Sequence, residues 1–135
     1  HAMVRQFARE ERTEKADEFL LEMKKTVKQV RELLQDAKRT EFVVVTIAES
    51  MGVRETEDLI QSLEEFHIPS RHIVINNIFP KEGCDFVKTR RKLQEKYIHE
   101  IKEKFAAKRI TEVALQSSEI QGLAGLQNLG KQLFD

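Results

Sequence analysis

Apolar side chains recur at Ala16, Phe19, Leu20, Met23, Val27, Val30, Leu33, Leu34 and Ala37. Steps of three and four put them on one stripe and predict a long amphipathic helix. The pattern then changes. FVVVTIA (Phe42 to Ala48) is a continuous, largely β-branched run, which predicts a strand buried on both faces. Gly52 breaks it, and Thr56, Leu59, Ile60, Leu63 and Phe66 restore the helical period until Pro69 stops it. HIVINNIF (His72 to Phe79) predicts a second buried strand, closed by Pro80 and Gly83. Phe86, Val87, Leu93, Tyr97, Ile101 and Phe105 mark one side of a third helix, and ITEVAL (Ile110 to Leu115) a shorter strand. After the polar QSSEIQG comes a last helix with Leu123, Leu126, Leu129 and Leu133 expected inward. A helix followed by β-α-β-α-β-α is an α/β arrangement, a three-stranded parallel sheet with right-handed crossovers.

Composition narrows the partners. The chain has 135 residues, enough for one domain with a real core, and its 23 basic and 23 acidic side chains cancel. Net charge therefore supplies no pull toward nucleic acid or an anionic membrane, and neither is expected as a partner. No apolar run approaches the ~20 residues of a membrane span. The one cysteine, Cys84, leaves no internal disulfide and suits a cytoplasmic chain. His1-Ala2-Met3 reads as an expression scar. The charged stretch VRQFAREERTEKADEF that follows runs straight into a helical pattern, as expected for a piece of a longer protein.

Four stretches could carry chemistry. Gly125, Gly130 and Lys131 have the spacing G-x-x-x-x-G-K of a phosphate-binding loop, with Gln132 where Ser or Thr would hold magnesium. Such a loop must leave a strand and open a helix, so that backbone N–H groups face the phosphates. Here both glycines fall inside the predicted last helix, and the match is expected to be accidental. Asn76 and Asn77 lie at a strand's carboxyl end, where α/β sheets place ligands and an amide can read a base edge; the alternative is a turn or capping role before Pro80. Gln116 to Gly122 also follows a strand, and there Ser117 or Ser118 could instead cap the last helix. Lys88 to Tyr97 is basic, but Leu93 and Tyr97 interleave at helical spacing, as on the solvated face of an amphipathic helix. Cys84 has neither C-x-x-C nor a nearby His pair, so one chain builds no zinc site, and His67 and His72 are expected at the surface or in turns.

Four segments, TEFVVVTIAESMGVRETEDLIQSLEEFHI, RHIVINNIFP, CDFVKTRRKLQEKYI and LQSSEIQGLAGL, resemble in that order the carboxyl-terminal half of ArsA-type ATPases. This family includes the arsenite-pump ATPase and the cytosolic targeting factor for tail-anchored membrane proteins. The resemblance implies a fold that is part of a P-loop-type ATPase domain. It divides the chain into residues 4–41, the long helix ending a helical insert, and residues 42–135, the carboxyl-terminal part of the α/β domain. It also implies that the P-loop and switch loops belong to an amino-terminal half outside this chain. Catalytic residues are then expected there, ATP and magnesium are cofactors of the parent, and the chain alone is expected to be inactive and to hold neither firmly.

The family's adenine-reading asparagine falls on Asn76, and its adenine loop on Leu115, Gln116, Ser117, Ser118 and Glu119, running on to Ile120 and Gly122. The family usually has Pro before that loop, where this chain has Ala114. A Pro-Glu after the first of these strands is here Ala48-Glu49, and Glu55-Thr56 match the Glu-Thr opening the next helix. Eukaryotic targeting members carry C-x-x-C, two pairs clamping one zinc across a dimer; here the positions hold Cys84 and Val87, so no metal site is expected. A homodimer is expected on other contacts.

In targeting members the helical insert binds the client's apolar transmembrane segment, which implies client-facing roles for Phe19, Leu20 and Met23; the alternative is that they pack on the ATPase core. Arsenite chemistry needs soft thiolates, and Cys84 is the sole candidate. The expectation is a parent that delivers tail-anchored proteins, with an arsenite pump's ATPase, working with a membrane subunit, as the alternative. A non-catalytic packing or dimerisation module is the alternative of another class.

Overall fold

The computed structural model describes the backbone of residues 2–134 and the side chains of residues 16–134. The chain divides into two compact units, His1–Thr40 and Glu41–Asp135. The first is helix α1 (Ala2–Gln35) and the turn that ends it. There the Asp36 carboxylate accepts from the Lys38 N–H at 2.9 Å, and the Thr40 hydroxyl donates back to the Leu33 carbonyl at 2.7 Å. These local bonds take over backbone groups that the helix leaves open and stop it. The predicted apolar stripe of α1 lies at the surface, with Phe19 61% and Leu20 60% exposed.

The second unit runs β1 (Val43–Ile47), α2 (Ser50–Glu65), β2 (His72–Ile78), α3 (Asp85–Lys104), β3 (Arg109–Ala114) and α4 (Gly122–Phe134). Both strand pairings are parallel and the order is β1-β2-β3, so β2 is central. The α/β class, the element order and the parallel sheet expected from the sequence are all present.

Side chains sort by strand parity. Val44, Thr46, Ile73 and Ile75 are buried on the face packed by α2 and α3, where Val53, Ile60, Leu63, Ile98, Ile101 and Phe105 complete the core. Ile73, Ile75 and Ile101 are fully buried, each contributing about 1.5–3 kcal/mol relative to exposure. The other face carries His72, Val74 and Val113, which with Leu129 and Leu133 of α4 line a cleft of about 230 Å³.

Several expectations are corrected. Strand β1 is buried on one face only: Val43, Val45 and Ile47 alternate outward, because the described part of α4 lies over β3 and not over this edge. The core stripe of α3 is Gln94, Ile98 and Ile101, while Phe86 and Leu93 are exposed; the aromatic and leucine spacing pointed about a quarter-turn away. In α2, Leu59 and Phe66 are exposed, and in α4 Leu123 and Leu126 are exposed. His67 is the expected turn residue, at φ 58 beyond α2. His72 is instead buried within β2, its Nε2 2.8 Å from the Thr111 hydroxyl.

Candidate functional site

The carboxyl ends of three parallel strands make the site, and α3 ties two of them down. Strand β2 does not pair regularly to its end. Ile75 is opposite Glu112 and Ile78 opposite Ala114, so Asn76 and Asn77 together face Val113. Two residues against one is a β-bulge, which bends a strand and re-aims its side chains. Asn77 takes the left-handed conformation this needs, at φ 58, a region where asparagine is enriched among residues other than glycine. The extra residue resets the parity, so Ile73, Ile75 and Ile78 all reach the α2/α3 core.

The bulge leaves backbone groups to be satisfied, and Gln94 satisfies them. Its Nε2 donates to the Asn77 carbonyl at 2.9 Å and its Oε1 accepts from the Phe79 N–H at 2.9 Å. Gln94 is 4% exposed, and a buried amide is tolerated there because both of its ends are bonded. One helical turn earlier, Arg90 reaches Glu49 past the end of β1 at 2.8 Å and lies 5.7 Å from the Phe79 ring centre. Phe79 in turn meets Phe86 edge-on, with ring centres 6.3 Å apart. Spacing i,i+4 puts Arg90 and Gln94 on one face of α3, so a single helix face holds the ends of β1 and β2.

On the far side of β1, helix α2 approaches unusually closely. A Cβ at Gly52 would stand 2.4 Å from the Ile47 carbonyl oxygen. The Gly52 carbonyl accepts from both the Thr46 and Thr56 hydroxyls, at 3.1 and 2.7 Å. Glu55, Thr56 and Leu59 thereby line a cleft of about 290 Å³ with the open edge of β1 and Asn76.

Asn76 is half-buried and borders this cleft as well as the one under α4. Among the described residues no hydrogen bond occupies its side-chain amide, which leaves a donor and an acceptor for a ligand. Leu115 to Gln121 begins beside it: the Leu115 N–H donates to the Ile78 carbonyl at 2.8 Å. Gln116 is half-buried and bonds the Ala114 carbonyl at 2.7 Å, while Leu115, Ser117, Ser118 and Glu119 are exposed. Ser117 and Ser118 do not stand next to the last helix, which starts at Gly122 behind Gln121. Phe19, Leu20 and Met23 belong to the other unit.

The sequence profile of the anion-transporting ATPases, ArsA_ATPase, matches residues 1–135. The chain belongs to this family. It is 36% identical over 123 residues to a protein of Aspergillus terreus named ATPase get3, a match covering 87% of this chain and 36% of that protein. It is 35% identical over 124 residues to ATPase GET3 of Paracoccidioides brasiliensis strain Pb03, covering 87% and 36%. A Paramecium tetraurelia protein named ATPase ASNA1 homolog 2 is 35% identical over 113 residues, covering 83% and 35%. The chain thus spans about a third of the length of the relatives it matches.

Membership in an ArsA-type family raises the fit of a nucleotide to these residues. The base side fits, through an amide with open donor and acceptor at a strand's carboxyl end. The phosphates and magnesium find no such seat among the described residues. Gly125, Gly130 and Lys131 all lie within α4, Gly122–Phe134, and form no loop between a strand and a helix, and the described residues hold no cluster of acidic, His or Cys side chains that could bind a metal ion. No helix among the described residues is long and apolar enough to cross a membrane. Sequence reasoning missed Gln94 because its two partners are backbone groups, which no residue type along the chain marks.

Proposed function

We propose that this chain carries the adenine-side part of the nucleotide site of an ArsA-type ATPase. Asn76 reads the base edge and Leu115, Gln116, Ser117, Ser118 and Glu119 form the loop beside it. The whole protein hydrolyses ATP with magnesium, held by residues outside this chain, and uses it to deliver tail-anchored membrane proteins in the cytoplasm. The observation that carries the proposal is the bulge at the end of β2, which presents the unoccupied Asn76 amide next to the start of the 115–121 loop. The exposed apolar stripe of α1, with Phe19, Leu20 and Met23, supports an apolar client, for which an adaptable side chain such as Met is suited. One cysteine is too few for thiolate capture of arsenite within this chain, which weighs against the pump reading.

A titration of the isotope-labelled chain with nucleotide tests the base-side assignment. ATP at millimolar concentration, worth about 4 kcal/mol, should shift the Asn76 side-chain NH2 and the 115–119 amides. GTP, whose base presents the opposite donor and acceptor at that edge, should shift them less, and Asn76→Ala should abolish the difference. Equal shifts for both nucleotides, or none, would return Asn76 to a turn role.

A further inference from the structure

Gln94 deserves a role beyond packing. The core positions that follow it on α3 are apolar, Ile98 and Ile101, and burying an amide beside them costs free energy unless both its ends are paired. The two groups it pairs, the Asn77 carbonyl and the Phe79 N–H, flank Ile78 and bracket the point where β2 leaves its regular pairing. With an apolar residue at 94, both backbone groups would be left without the partner the structure gives them. The strand could then recover pairing by releasing the bulge, at the cost of the left-handed Asn77. That slip would leave Asn76 paired with Ile47 of β1 and shift the chain after it, carrying Ile78 and the Leu115 N–H bonded to its carbonyl, so the 115–119 loop would move against the Asn76 amide. Ile78 is held against this in the core, but only so long as Asn77 keeps φ 58.

The geometry points to Gln94 as a positioning residue for base selection: it fixes the bulge at Asn76-Asn77 and so sets the direction in which the Asn76 amide meets the purine. The inference rests on the adenine-side reading above. It assigns Gln94 no contact with the nucleotide. Its influence passes through the Asn77 carbonyl and the Phe79 N–H, and it therefore predicts an effect on which base is preferred rather than on binding in general.

Gln94→Met keeps the length and loses both hydrogen bonds. Gln94→Glu keeps the acceptor for Phe79 N–H and loses the donor to Asn77, and it carries the same test if the Met variant does not fold. Two measurements on the labelled chain separate the possibilities. The first is the Asn77 HN–Hα coupling with the hydrogen-exchange rate of the Phe79 amide, which reports the bulge without any ligand. The second is the ratio of ATP to GTP affinity read at the 115–119 amides. Expected is a changed coupling, faster exchange at Phe79, and a loss of about tenfold in ATP affinity that brings the ratio toward one while GTP affinity holds. A merely structural role would weaken both nucleotides alike, and that outcome overturns the inference, as does an unchanged ratio or an unchanged Asn77 coupling. If the unsubstituted chain itself shows no ATP preference, the base-side reading fails and this inference with it. A preference that survives Gln94→Met sinks the inference alone.

Discussion

Substituting Gly52 sets two effects of opposite sign against each other, and the structure decides between them. Alanine favours a helix over glycine by about 1 kcal/mol in a helix interior, and by less in the first turn, where Gly52 sits. Against this, the new Cβ would meet the Ile47 carbonyl oxygen at 2.4 Å and the Thr46 hydroxyl at 3.0 Å. The first of these is backbone, so no rotamer change relieves it. Helix α2 must move off the end of β1, stretching the Thr46 hydroxyl bond onto the Gly52 carbonyl. Overpacking of this kind costs about 1–3 kcal/mol, so Gly52→Ala should destabilise the chain. At about 4–8 °C per kcal/mol for a domain of this size, the thermal midpoint should fall clearly. Gly130 is the internal control, since a Cβ there meets nothing within 4 Å. Gly130→Ala should raise stability by about 0.5–1 kcal/mol. Circular dichroism melts of the two variants and the parent decide it. A Gly52→Ala chain as stable as Gly130→Ala would show that α2 does not approach β1 as described.

Other outcomes follow from the same coordinates. Replacing Phe19, Leu20 and Met23 by Ser should leave the melt of residues 41–135 unchanged and lower the capture of an apolar transmembrane peptide, measured by fluorescence anisotropy; a large loss of stability would make them packing residues. Lys104 has its ammonium pKa held above the ordinary value of 10.5, first by the hydrogen bond it donates to Glu57 and opposed by desolvation. The stability it adds is present below that ordinary value and lost as pH rises through the folded one, so Glu57→Gln should flatten the alkaline end of the stability profile. The outward Val43, Val45 and Ile47 leave an uncharged strand edge and apolar face, so the chain should self-associate as concentration rises; light scattering showing a monomer throughout would remove support for a homodimer built on this edge.

Much of the fold was legible because each strand announced itself locally. FVVVTIA and HIVINNIF are short β-branched runs with Gly or Pro close behind them, ITEVAL a shorter one between polar stretches, and the helical stripes between them pointed to parallel crossovers. What failed was facing. Whether Val45 or Leu93 points inward depends on which neighbour covers it, and periodicity alone carries no record of the neighbour. The bulge was hidden for a related reason: INNI looks like the tail of a strand, and the left-handed turn at Asn77 appears only once Ile78 is seen to share the core with Ile75. Asn76 was singled out by its place at a strand's carboxyl end and by resemblance, and Gln94 was not, since its two partners are backbone atoms, which sequence patterns do not mark.

The central place of β2 has a consequence for the order in which this chain can assemble. Among the described residues β1 has one partner strand, β2, which is made a whole helix later. Until His72 to Ile78 has left the ribosome, Val44 and Thr46 cannot make their pairing with β2, and β3 pairs with β2 later still. Pairings so far apart in sequence close slowly, because the chain entropy is lost before the contacts form. Within this stretch VVVTI therefore waits a whole helix for the strand it pairs with, and a slowing substitution in β2 would lengthen that wait for both of its neighbours at once.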